Sequence, residues 1–350
     1  MNGGRRTFVT MNGLRGVAAI IVVAFHWFGG LPNGYLAVDF FYVLSGFVIA
    51  HAYENRLGNG LSVRAFFAIR LARLYPLYLL GTVLSVLVLA ASFAVKGAVI
   101  PAEQASFHSL PFALLMLPTP PALAPTDAGL YPLDAPAWSL FFEVAINLAY
   151  AASFRFWSLA RLATLIGMCG AMMLWHLFAH GTLYGDGGIN WPSFVLGFLR
   201  VGFSFPIGVL IYRLYVIGRL PAVRLPSAAL AVAMVAVLAV PLTIMPLMDV
   251  FVFFPLIVAL SANSEPRTAS AKSTFQSLGV ASYAIYVLHE PFHGAILAAL
   301  AKFGVADGAT VDAILIASII PICLTLNRFY DVPVRARLSS FAVARQPKTV

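Results

Sequence analysis

Apolar residues run through this chain in long blocks, and polar residues fall between the blocks or stand alone inside them. A membrane-crossing helix needs about 20 mainly apolar residues. Blocks close to that length run over 14–31, 35–53, 74–95, 137–154 and 162–180 in the first half of the chain. Five more follow over 191–215, 227–241, 249–262, 280–301 and 311–329. The pattern predicts an all-α polytopic membrane protein of about ten transmembrane helices. Between the third and fourth blocks lies a loop, 96–136, with too many prolines for a continuous helix. Its apolar piece, LPFALLML, is too short to span and reads as a re-entrant or interfacial segment.

Composition agrees with the pattern. The 350 residues are 61% hydrophobic and only 10% charged, with a mean hydropathy of +0.90. Soluble domains are about half apolar and a quarter charged. The apolar run after MNGGRR lacks a small-residue cleavage site and is expected to remain in the mature protein. Cys169 and Cys323 both fall inside apolar runs, so neither a disulfide framework nor a metal site is expected.

The net charge of +9 sorts by topology. With the N-terminus in the cytoplasm, seventeen of the 22 lysines and arginines fall inside, and only Lys96 and Lys302 fall outside. This is the positive-inside bias of a membrane protein, and it predicts cytoplasmic N- and C-termini with a basic tail at 331–350. Anionic lipid headgroups account for the basic balance, and nucleic acid is not implied. The chain reads as a single membrane-embedded domain, 1–350, with no visible repeat.

An ionisable group at bilayer depth costs about 2.5–3.5 kcal/mol on insertion scales, so each one needs a reason. Arg15 and His26 stand eleven residues apart in the first block. At about 100° per residue they project from one helix face, separated along the axis by roughly 16 Å. Asp39 lies near the start of the second block and Glu143 near the start of the fourth, at depths like that of His26. Arg70 and Arg73, in AIRLARLYP, share a helix face before the third block. Such guanidinium pairs suit phosphates, which they grip bidentately.

Each candidate also has a plainer reading. Arg70 and Arg73 satisfy the positive-inside rule. His26 fits an inter-helix hydrogen bond. Arg200 can neutralise either Asp39 or Glu143, though not both. His289 and Glu290, before Pro291, fit a buried supporting role, and Trp138 with Ser139 reads as an aromatic belt at a helix start. No Gly-x-Ser-x-Gly elbow, phosphate loop, zinc pair or dinucleotide fingerprint is present.

Taken together, these segments resemble acyltransferase family 3, the membrane O-acyltransferases of cell-envelope glycans. The resemblance rests on Arg15 followed by ten residues and His26, GYLAVDFFYVLSGFVIA, RLARLYP, WSLFFE around Glu143, and SYAIYVLHEPF, in that order along the chain. Ala37 stands where relatives commonly carry glycine, and the chain resembles the stand-alone form without a fused hydrolase-like domain.

The resemblance implies transfer of an acyl group, usually acetyl, from cytoplasmic acyl-coenzyme A to a hydroxyl of an outward-facing or lipid-linked glycan, in the inner membrane of a bacterium. Arg15, Arg70 and Arg73 are then expected to receive the donor's phosphates. His26 is expected to act as general base, with Asp39 or Glu143 supporting it. The rival expectation is a secondary transporter or flippase of a lipid-linked sugar, for which buried charges and proline-broken helices are equally natural.

Overall fold

The computed structural model describes residues 6–96, 106–124, 129–182, 187–301, 303 and 308–344. Parts of the 96–136 loop (97–105 and 125–128), Arg5, Lys302 and residues 345–350 of the basic tail lie outside the described residues. Among the described residues the chain is helical, with no strand. The helices are α1 (Val9–Phe28), α2 (Ala37–Gly58), α3 (Val63–Lys96), α4 (Leu110–Leu114), α5 (Ala137–Ser153) and α6 (Leu159–His180). They continue as α7 (Phe194–Val216), α8 (Ser227–Ala239), α9 (Met245–Ser261), α10 (Ala269–Ala301), α11 (Ala309–Leu326) and α12 (Val332–Ala344).

Every predicted apolar block contains a helix. Seven stretches among the described residues are long and apolar enough to cross a membrane, and α8 and α9 are shorter apolar helices. On α6 most of the apolar surface faces outward, with Trp175 and Phe178 largely exposed. Such a surface is stable against lipid and not against water.

Two boundaries differ from the sequence pattern. Helix α3 begins at Val63, eleven residues before the predicted start of the third block at 74. Its 34 residues extend roughly 50 Å at 1.5 Å each, so Arg70 and Arg73 lie within a helix and not in a loop ahead of it. The stretch after 331 is likewise helical, as α12, reached through a π-helical turn at Asn327–Asp331.

The chain divides into two compact units. Unit 1 comprises residues 1–51 and 204–285. In it α1 packs on α8 and α9, and α2 crosses α7 at unusually close range. There Gly46 faces the Phe205 carbonyl and Gly208 faces the Val43 carbonyl, with no room for a Cβ at either position. Small residues of this kind let helix backbones meet where no hydrophobic effect drives them together. Asn33 anchors the α1–α2 connection by donating from its side chain to the Val240 carbonyl at 2.8 Å.

Unit 2 comprises residues 52–203 and 286–350. Here α3 packs on α4, α5 and α12. The LPFALLML segment is held by tyrosine hydroxyls, with Tyr78 donating to the Ala113 carbonyl at 2.6 Å and Tyr75 to the Leu114 carbonyl at 2.8 Å. Its helix, α4, is a single short turn bound to α3. Tyr131 donates to the Met116 carbonyl at 2.8 Å, which ties the following loop to the same segment.

Candidate active site

In unit 1 the first helix carries Arg15 and His26. Arg15 is held against α10: its Nε donates to Ser282 Oγ at 2.8 Å and its terminal nitrogen to the Gly279 carbonyl at 2.9 Å. His26 lies in the last turn of α1 and is exposed. Its Nδ1 lies 2.9 Å from the Val22 carbonyl oxygen. Only a protonated Nδ1 can bond to a carbonyl, so the neutral ring carries its lone pair on Nε2. A backbone carbonyl on the same helix thereby sets the tautomer.

Phe25 packs edge-on against the His26 ring, 5.2 Å between centroids, and also meets Tyr35 at 5.7 Å. Asp39 lies in the first turn of α2 and is wholly buried. Unpaired N–H groups at a helix start favour a carboxylate there.

In unit 2 the two arginines of AIRLARLYP go to different acids. Arg70 donates to Glu143 Oε1 at 3.0 Å, with both side chains mostly buried. The sequence pattern does not pair these two residues; the longer α3 brings them together. Arg73 faces Asp331 at 3.6 Å, and Arg335 approaches the same carboxylate oxygen at 3.1 Å. Two guanidinium groups thus converge on one buried carboxylate.

Arg200, a candidate neutraliser of Glu143, donates to the Gly187 carbonyl at 2.7 Å and lies over the Trp138 ring, 5.2 Å from its centroid. Trp138 is accordingly buried beneath a cation and does not form a lipid-facing belt. Its neighbour Ser139 shares a 2.6 Å hydrogen bond with the Tyr286 hydroxyl. His289 is fully buried, with Nδ1 at 2.8 Å from the Tyr286 carbonyl oxygen, and α10 runs on as a helix through Pro291.

Several polar groups escaped the sequence reading. Asp134, in the loop before α5, is buried with neither carboxylate oxygen hydrogen-bonded. Burial, reinforced by the charge of Glu290, pushes its carboxyl well above the usual carboxylate range. Tyr150 donates to Glu54 Oε1 at 2.6 Å. Tyr286 was visible inside SYAIYVLHEPF, whereas nothing in PLDAP marks Asp134 as buried.

The comparisons with known proteins follow the same lines. A family model described as an acyltransferase domain matches residues 8–328. The protein called "Protein 2 in picA locus" from Rhizobium radiobacter is 43% identical over 162 residues, a match that covers 41% of this chain and 81% of that protein. No solved structure matches.

Proposed function

From the premise that this chain belongs to acyltransferase family 3 and is a membrane acyltransferase, we propose that it moves an acyl group, acetyl above all, from cytoplasmic acyl-coenzyme A to a hydroxyl of an extracytoplasmic or lipid-linked glycan. The proposed setting is the inner membrane of a bacterium, with both termini in the cytoplasm. The observation that carries this reading is the placement of Arg15 and His26 on one helix, with the basic nitrogen of His26 fixed by the Val22 carbonyl.

In the proposed reaction Arg15, held by Ser282 and the Gly279 carbonyl, receives the donor's phosphates, which guanidinium groups suit by charge and fork geometry. The slender arm of the donor extends along the face of α1 toward His26. Nε2 takes the proton of the acceptor hydroxyl as its oxygen attacks the thioester carbonyl. The carbon–sulfur bond breaks, and the proton passes to the departing thiolate to give free coenzyme A and the ester. A positioned general base contributes typically 10²- to 10⁴-fold. Asp39 is the proposed electrostatic support for the imidazolium, because it shares unit 1 with His26. Glu143 is assigned to Arg70, which it pairs.

The test uses purified full-length protein, labelled acyl-coenzyme A and an envelope glycan fraction. Release of free coenzyme A that depends on the glycan, lost about 10²- to 10⁴-fold in His26→Ala with membrane insertion intact, is the expected result. Near-normal turnover in that variant removes His26 from the mechanism.

A further inference from the structure

Unit 2 contains a cleft of about 330 Å³ that none of the assigned roles uses. It is bounded by Ser85 and Val88 on α3, by Ser106, by the loop at Pro132, and by Glu290 and Gly294 on α10. Its volume lies at the small end of ligand clefts, which run from about 300 to 1,000 Å³.

The walls are held in place before any ligand arrives. Tyr131 ties the loop to Met116, and Tyr286 reaches both Ser139 and the Pro136 carbonyl. His289, braced on the Tyr286 carbonyl, has Nε2 at 3.7 Å from Glu290 Oε1, and the Glu290 side chain is 36% exposed.

The chemistry of the lining is selective. Among the described residues it offers one carboxylate and two serine hydroxyls, with no lysine, arginine or histidine. A phosphate-bearing ligand finds no cation there and meets a carboxylate instead. A neutral molecule rich in hydroxyls can donate to Glu290 and exchange hydrogen bonds with both serines. Proline and aliphatic walls cover its C–H edges.

We propose that this cleft is the sugar-binding subsite for the acyl acceptor, with Glu290 as the hydroxyl-anchoring residue. The assignment rests on the reading of the protein as a glycan O-acyltransferase. Glu290→Gln keeps the shape and removes a charged acceptor. It is predicted to raise the glycan KM about tenfold, the scale of one charge-assisted hydrogen bond, while leaving the donor KM unchanged. Gly294→Leu supplies a second, independent variant. A Cβ at Gly294 meets only Val88, at 3.5 Å, so a leucine side chain grows into the cleft and is predicted to have the same effect on glycan KM.

A binding readout separates this proposal from the activity. Ser85→Cys places a thiol in the wall, while Cys169 and Cys323 are buried. An envelope glycan fraction is expected to slow maleimide labelling of that thiol in the full-length protein several-fold, and acyl-coenzyme A is not. Unchanged labelling with glycan, protection by acyl-coenzyme A or by phospholipid instead, or an unchanged glycan KM in both cleft variants overturns the subsite. If wild-type protein releases no coenzyme A with any glycan, the parent reading fails, and the labelling experiment still decides whether sugar binds here.

Discussion

Arg70 and Glu143 form a mostly buried ion pair at 3.0 Å, each helping to offset the other's charge inside helices. Removing one partner of a mostly buried ion pair costs about 3–5 kcal/mol, since the remaining charge is stranded. Arg70→Ala and Glu143→Ala are therefore each expected to lower folded yield in detergent, measured by size-exclusion profile and thermal unfolding. The charge-reversed pair Arg70→Glu with Glu143→Arg is expected to recover much of the loss. If the reversed pair behaves like the sum of the single variants, the ion pair is not what holds these helices together.

Asp134 gives a second residue-scale prediction, in pH. An unfolded aspartate titrates near 3.9, and burial raises the folded value well above that. Between those values the folded state holds a proton that the unfolded state has lost. Stability therefore falls as pH rises above about 4, until the folded value is passed. The wild-type melting temperature is expected to contain a decline that sets in as pH rises above about 4 and that Asp134→Asn removes. An identical pH slope in the variant contradicts the assignment.

At the scale of elements, the α2–α7 crossing depends on two glycines set against opposing carbonyls. Gly46→Ala and Gly208→Ala each place a methyl group onto Phe205 or Val43 backbone oxygen. Overpacking typically costs about 1–3 kcal/mol, and separating two backbones that meet this closely belongs at the upper end. Both variants are expected to unfold at lower temperature than an alanine placed at Gly58, where a Cβ meets open space.

The helices themselves were legible, because a block of about 20 apolar residues has few alternatives in a membrane protein. The start of α3 was not. Arg64, Arg70 and Arg73 interrupt the apolar run, and the helix extends through them with Arg70 paired to Glu143 on α5 and Arg73 to Asp331 after α11. Trp138 misled for the same reason: a tryptophan at a helix start suits a belt until Arg200, distant in sequence, is found above its ring. Arg15 and His26 were legible because their relation lies within one helix, where eleven residues fix both face and separation. The pairing of Glu143 with Arg70 was not, since that depends on contacts between helices.

At the scale of the whole molecule, the account requires the chain to move an acyl group from one side of a membrane to a sugar on the other. The lysine and arginine distribution favours a cytoplasmic N-terminus, and cysteines introduced at the ends of α1 are expected to label from opposite sides in intact cells. The most direct test is mass spectrometry of envelope and secreted glycans from a strain lacking this gene, complemented with either the wild-type protein or His26→Ala. The account predicts that one acyl mass disappears on deletion, returns with the wild-type protein and stays absent with His26→Ala. Glycans of unchanged mass in the deletion strain, or full restoration by His26→Ala, contradict it.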